Sequence, residues 1–452
     1  MNTHRLTRLG RAALLALACT AALHAPAHGQ ITQRWLTQWG TSETDQAYGV
    51  AVDAAGKTWV SGGTLGGLGA AFADSNDLFL TPLSATGVRG TSVQRGGTGN
   101  DVGVAVAVVG GNKVFGVGYT DSPMWDGAAV VGGADVLAVS YSTAGIWQST
   151  TRFGSAGTEV AFAAAGNATH LLAAGYAIGT IDGQAQVGGN DAFLSKRTSG
   201  GALVWTRVVG SSDRDIGTGT AFDSVGNAYL AGYTSGSLPT FTNAGSSDVF
   251  VARYDASGTQ TLLKQWVSPG NDQATDVEVD GSGNIYLTGE TTGNLGGQTN
   301  NGGFDAFLTK LDSSGNVLWT RLLGGTGVEQ ANGLALDAAG RVWIGGYSQS
   351  TFAGHTNAGS FDAFVASYDS AGTLLGTFFW GTSGDDDLTG LAAAPNGSVS
   401  VSGYTNGRLG AVNSGDYDAW AASLTTVPEP SSALLLAAGA VLLLRRRAGV
   451  AR

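Results

Sequence analysis

Apolar residues in this chain come in short runs separated by polar turns at a steady rhythm. The pattern is clearest from Gly333 to Thr389, with apolar runs at 331–337, 342–348, 362–369 and 374–380. Runs this short, alternating every second residue and bounded by Gly, Asn and Ser, predict strands. The turns Asp223-Ser-Val-Gly-Asn227, Asp280-Gly-Ser-Gly-Asn284 and Asp312-Ser-Ser-Gly-Asn316 predict tight hairpins, with Gly supplying positive φ.

The unit repeats. An Asp opens one strand in each copy: Asp77, Asp135, Asp191, Asp248, Asp305, Asp362 and Asp418. A Gly, often followed by Tyr-Thr, ends another: Gly62, Gly118, Gly175, Gly232, Gly289, Gly346 and Gly403. An acid precedes a Gly/Ala-rich strand: Asp45, Asp101, Glu159, Asp215, Asp272, Glu329 and Asp386. Spacings within each set stay between 56 and 58 residues. Four strands at this period predict a propeller blade, and seven units predict an all-β, seven-bladed beta-propeller of four-stranded blades.

The run 331–337 sets Ala331, Gly333 and Ala335 against Asn332, Leu334 and Leu336. Small residues on one face suit the crowded centre, so this strand is predicted innermost. The chain then begins with an outermost strand, Gln33 to Trp39, and ends with a third strand, Tyr417 to Leu424. Each end lacks what the other supplies. Their pairing would close the ring and remove exposed edges.

Composition narrows the picture. Charged residues are 13% and Gly is 73 of 452, yet regular apolar patterning argues against disorder. A net charge of −11 with no basic stripe counts against nucleic acid as a partner.

The propeller region resembles the bacterial SBBP beta-propeller repeat family. The residues that carry the resemblance include Gly324-Gly-Thr-Gly-Val-Glu329, Gly333-Leu-Ala-Leu-Asp337, Asp280-Gly-Ser-Gly-Asn-Ile-Tyr-Leu-Thr-Gly289 and Asp305-Ala-Phe-Leu-Thr-Lys-Leu-Asp312. It covers roughly residues 33 to 425. It weakens where Val109, Gly166 and Ala394 replace the turn Asp. The resemblance implies a propeller and no particular activity.

Both ends read as address labels. Arg5, Arg8 and Arg11 precede an apolar run, Ala12 to Ala22, and Ala25-Pro26-Ala27 offers a cleavage site for signal peptidase after Ala27. Cleavage there removes Cys19 and leaves no cysteine for disulfides or thiol chemistry. At the other end, Val427-Pro-Glu-Pro430 precedes an apolar run, 431–444, and Arg445-Arg-Arg447. This resembles the PEP-CTERM sorting signal: a motif, a short transmembrane helix and a basic tail. The basic tail places that end in the cytoplasm and the body outside. The resemblance implies processing near Pro428, Glu429 and Pro430 by an exosortase, with transient inner-membrane anchoring. It also implies release to the cell surface or extracellular matrix. The expected domains are a signal peptide (1–27), the propeller (28–426) and the sorting signal (427–452).

Candidate chemistry is sparse. The seven acids Asp45, Asp101, Glu159, Asp215, Asp272, Glu329 and Asp386 are expected on one face, near the mouth of the central channel. They form either a cation-concentrating ring or seven loop acids bonded to their own backbone. The turn acids Asp53, Asp223, Asp280 and Asp337 fit Asx turns better than calcium loops, which need several alternating oxygens. Calcium is thus a weak expectation, and no other cofactor or metal is expected. Asp276 and Glu278 stand where the first two units carry Gly or Ala. They mark either a cation or substrate site in the channel wall, or a wet or internally paired strand end. The long loops, such as Thr291 to Gly303, carry amides and hydroxyls that suit sugars or simply water. Trp147, Trp205, Trp266 and Trp319 recur in outermost strands and suit blade packing better than carbohydrate stacking. Beyond the leader and His28 at its edge, only His170 and His355 remain, in non-equivalent places.

The expectation is an exported, non-enzymatic surface or matrix propeller binding exopolysaccharide or a surface protein through a loop face. The alternative is a polysaccharide hydrolase or lyase using carboxylates near the channel. A convergent acid pair in a deep cleft would favour that enzyme. A purely structural surface protein is the third option.

Overall fold

The computed structural model describes residues 30–69, 75–125, 128–129, 131–266 and 268–427. Ala27, Cys19, the motif Pro428, Glu429 and Pro430, and the run 431–444 lie outside the described residues. Among the described residues no helix is long and apolar enough to cross a membrane.

Chain contacts divide the protein into a propeller unit, Gln33–Thr425, and a unit formed by Met1–Thr32 and Thr426–Arg452. Of the second unit, only residues 30–32 and 426–427 are described, as ends of strands.

The propeller has seven antiparallel sheets of four strands. In blades 1 to 6 the strands follow chain order from the axis outwards. Blade 5 is representative: Asp272–Val279 innermost, then Ile285–Thr291, Asp305–Leu311 and Val317–Leu323 outermost. Blade 7 takes Asp386–Ala393, Val399–Thr405 and Asp418–Val427 from the end of the chain. Its outermost strand is Gln30–Trp39 from the start. The expected closure is therefore present.

Local chemistry sets the turns. Asp280 N–H donates to Asn284 O (3.0 Å), and Gly283 N–H to Asp280 O (2.9 Å) with Gly283 at φ +80°. Only glycine takes that left-handed conformation without strain. The Asp280 carboxylate accepts the N–H groups of Ser282 and Asn284, each at 2.9 Å. Asp53, Asp223 and Asp337 do the same in their own turns. These are Asx turns. Where blade 3 has Gly166 and blade 7 has Ala394, Asn167 and Asn396 take over the acceptor role.

Each innermost strand carries a bulge at its fourth residue, for instance between Ala274 and Asp276 and between Ala331 and Gly333. The bulge overturns the simple alternation expected for 331–337. Ala331 faces the blade core, whereas Gly333 and Ala335 line the axis. It also explains the recurrent Gly. A Cβ on Gly289 would run into the Gln273 carbonyl oxygen, and one on Gly346 into that of Gln330. Gly289→Ala is expected to lower stability by about 2–3 kcal/mol, because backbone rather than a pliant side chain must move. Chemical denaturation checks this; a change below about 0.5 kcal/mol would contradict it.

The cores lie between neighbouring blades. Phe307 and Leu287 of blade 5 pack with Tyr229 and Val251 of blade 4, and the cluster is almost wholly buried.

Candidate functional site

The seven acids that start the innermost strands do not ring the channel mouth. All seven are fully buried and none lines the axial cavity. The Asp215 carboxylate accepts the Ser211 N–H at 2.6 Å and its hydroxyl at 3.0 Å. Glu329 accepts the Gly325 N–H at 2.6 Å and the hydroxyls of Ser348 (2.8 Å) and Ser350 (2.6 Å). Asp45, Asp101, Glu159 and Asp386 likewise hold the backbone N–H four residues earlier. Asp272 accepts the Thr291 hydroxyl. Burial outweighs these bonds at Asp101, whose carboxyl is pushed up to about 6. These groups brace the inter-blade loops.

The Asp that opens each third strand is a second set of buried braces, and sequence reasoning gave it no role. Asp248 and Asp418 accept the amides of Gln265 (2.9 Å) and Gln38 (3.0 Å). Asp362 meets His355 Nε2 at 2.7 Å, and the imidazole stacks on Phe379 at 4.0 Å. His355 is thereby a packed structural group. Trp205 and Trp319 donate to the next blade's turn, at Ala256 O and Ser370 O, as packing requires. Trp147 departs from that expectation. It is 47% exposed, with the Arg95 guanidinium 5.0 Å from its ring centre.

The innermost strands enclose an axial cavity of about 460 Å³. Its wall runs from the fourth residue of each strand to the strand ends at Val52, Phe222 and Leu336. After the bulge the fifth and seventh residues face the next blade along the cavity wall. The fifth is Gly49, Ala105, Ala163, Gly219, Gly333 or Gly390 in six blades and Asp276 in blade 5. The seventh is Ala51, Ala107, Ala165, Ala221, Ala335 or Ala392 in six blades and Glu278 in blade 5. Small residues are required here: a Cβ on Gly219 would sit 2.7 Å from the Asp276 Cα. Blade 5 thus puts two carboxylates on one wall of a cavity otherwise lined by uncharged residues.

Both carboxylates resist ionisation. Burial pushes Asp276 up to about 7, against hydrogen bonds from Leu334 N–H (2.9 Å) and Val277 N–H (2.8 Å). Burial and then the charge of Asp276 push Glu278 up to about 8. Among the described residues lining the cavity there is no Lys, Arg or His. The cavity's other polar groups are already engaged. The Thr218, Thr275 and Thr389 hydroxyls and the Asn332 amide each donate to the next blade, at Ala274 O, Ala331 O, Ala47 O and Leu388 O respectively, at 2.6–2.8 Å. No group of three or more metal-ligating residues occurs among the described residues.

A further feature went unread in the sequence. After the marker Gly, five blades carry Tyr: Tyr119, Tyr176, Tyr233, Tyr347 and Tyr404. Blade 5 carries Glu290. Tyr48 of blade 1 joins the set, its ring 6.2 Å from Tyr404. Burial and then the neighbouring Tyr119 push the Tyr48 phenol up to about 12. The signal was a Glu in a recurring Gly-Tyr-Thr.

Residues 204–239 and 264–297 match the SBBP beta-propeller repeat. With its seven sheets, the chain is a beta-propeller repeat protein. Over 147 residues, 30% of the chain, it is 29% identical to the regulatory protein FlaEY of Caulobacter vibrioides. The match spans 15% of the length of that curated relative. Among solved structures it is similar to hydrazine synthase of Kuenenia stuttgartiensis, with 12% identity and a TM-score of 0.48 over 79% of this chain and 93% of that one. It is also similar to the propeller domain of the Trilobed protease from Pyrococcus furiosus, with 7% identity and a TM-score of 0.43 over 84% and 94%.

Proposed function

We propose that this is an exported, surface-displayed propeller that acts by binding, with its ligand's cationic group seated in the axial cavity. The observation that carries this reading is the pair Asp276 and Glu278. Both replace Gly or Ala, both line the cavity, and no described cavity residue neutralises them. A concave cavity of this size with a few convergent polar groups is a usual form of a ligand site. The Thr218, Thr275 and Thr389 hydroxyls and the Asn332 amide are engaged with neighbouring blades, and the charged groups left on the wall are acidic. That suits a protonated amine on an apolar stem, such as a lysine side chain of a surface protein, better than a neutral sugar.

The hydrolase alternative needs two carboxylates flanking one bond. Asp276 and Glu278 lie two residues apart on one strand and approach from the same wall. That favours binding. Export after Ala27, exosortase processing at Pro428-Glu429-Pro430 and delivery to the cell surface complete the proposal. A neutral polysaccharide would instead meet the amide-rich long loops.

The test is capture of amine-bearing ligands (polyamines and lysine-rich peptides) and of neutral polysaccharides by wild type and by Asp276→Asn/Glu278→Gln. Loss of amine capture in the variant supports the cavity. Polysaccharide capture that survives the double substitution, without amine capture, moves the site to the long loops.

A further inference from the structure

In blades 1 to 6 the third strand turns into the outermost one at a glycine of positive φ: Gly87, Gly145, Gly201, Gly258, Gly315 and Gly372. Five of these glycines face a side chain of the preceding blade. Trp35, Trp205 and Trp319 cover Gly87, Gly258 and Gly372, where a Cβ would lie 2.7–2.9 Å from the indole ring. Gly315 faces Leu262 and Lys264, and Gly201 faces Thr151. Gly145 of blade 2 is the exception, because a Cβ there would meet nothing within 4 Å.

Strand register explains the gap. Lys196 pairs with Trp205 in blade 3 and Lys310 with Trp319 in blade 5. In blade 1, Leu80 pairs with Val93 and the Thr81 hydroxyl meets that of Ser92 at 2.7 Å, which sets Pro82 opposite Thr91. Blade 1 thus carries Thr91 where blades 3 and 5 carry an indole. Beside Thr91 lies a cavity of about 480 Å³, lined by Lys57, Trp59, Pro82, Val93, Ala144 and Gly145. Small-ligand pockets span about 300–1,000 Å³. Val88, 68% exposed, and the exposed Thr91 mark its mouth.

An acceptor for a ring N–H is also in place. Trp205 and Trp319 donate to Ala256 O (3.1 Å) and Ser370 O (3.4 Å), each two residues before the turn glycine. The matching group in blade 2 is Thr143 O, which accepts Lys57 Nζ at 3.0 Å. Ser370 O accepts Lys310 Nζ at 3.1 Å beside the indole, so one such carbonyl serves both donors.

We propose that the cavity between blades 1 and 2 binds a small indole ligand, seated as Trp205 and Trp319 seat their rings, with its N–H donated to Thr143 O. The site needs no charge on the ligand and does not rest on the reading of the axial cavity.

Calorimetric titration of the purified full-length protein with indole tests it, beside 1-methylindole, which has no N–H. Saturable binding of indole is expected, with 1-methylindole several-fold weaker. Thr91→Trp supplies the missing ring from the chain itself and should abolish binding. Thr91→Leu, the side chain that blade 4 carries here as Leu262, is a milder filling and should weaken binding several-fold. Thr91→Ala and Asp276→Asn/Glu278→Gln should bind as wild type does, and circular dichroism checks the fold of each variant. No saturable binding to wild type, equal binding of 1-methylindole, undiminished binding by the folded filling variants, or loss of binding in Asp276→Asn/Glu278→Gln would each overturn the proposal.

Discussion

Deletion of residues 33–39 is expected to abolish the cooperative unfolding transition and send the protein into aggregates. These residues form the outermost strand of blade 7, and they come from the opposite end of the chain to the other three strands. Trp39 is 5% exposed and packs with Val60 and Phe79 of blade 1 and Ala419 of blade 7. The Gln38 amide donates to Asp418, and its carbonyl accepts the N–H groups of Leu409 and Gly410, each at 3.0 Å. Gln33 accepts the Trp380 indole N–H at 2.7 Å. Removal leaves a core cluster open, Asp418 short of a donor and a strand edge unpaired. The combined loss is at least about 5 kcal/mol, comparable to the whole stability of many domains. Thermal circular dichroism and light scattering read the result. A soluble truncation that melts in one sharp transition would contradict this role for the strand.

The second large effect is on pH. Asp276 and Glu278 bind protons more tightly in the folded protein than in the unfolded chain. The folded state therefore holds the extra protons between about pH 4 and pH 8, and stability falls as pH rises through that window. The contribution is complete below the ordinary carboxylate range and gone above about pH 8. Glu278→Gln removes the higher of the two titrations and the repulsion from Asp276. At pH 9 the variant should be more stable than wild type, on the order of 1–2 kcal/mol, and near pH 4 the two should match. Urea denaturation at both pH values decides this. A variant less stable than wild type at pH 9 would show that Glu278 has a cationic partner.

The architecture was legible because each repeated residue answers a backbone need. The marker Gly sits where the bulge brings a carbonyl against its Cα, the turn Asp accepts its own loop's N–H groups, and both recur in register. Closure was legible from counting strands at the two ends. The bulge itself was not, because Asn332 and Thr275 look like ordinary alternating polar residues. What makes them bulge residues is a bond to the next blade. That long-range partner has no local signature. The same holds for the acids. A buried brace such as Asp215 and a cavity-lining carboxylate such as Glu278 both precede or interrupt Gly/Ala-rich strands. Only burial and partners tell them apart. Asp276 and Glu278 could be singled out because they break the repeat, and Glu290 could have been found by the same rule.

The most direct measurement is a calorimetric titration with hexylammonium at pH 6 and pH 9, on wild type and on Asp276→Asn/Glu278→Gln. If the cavity seats a cation against an ionised pair, wild type binds more tightly at pH 9 than at pH 6, and the double variant loses that binding at both. Equal binding by wild type and variant, or wild-type binding that does not strengthen as the pair ionises, would contradict the account.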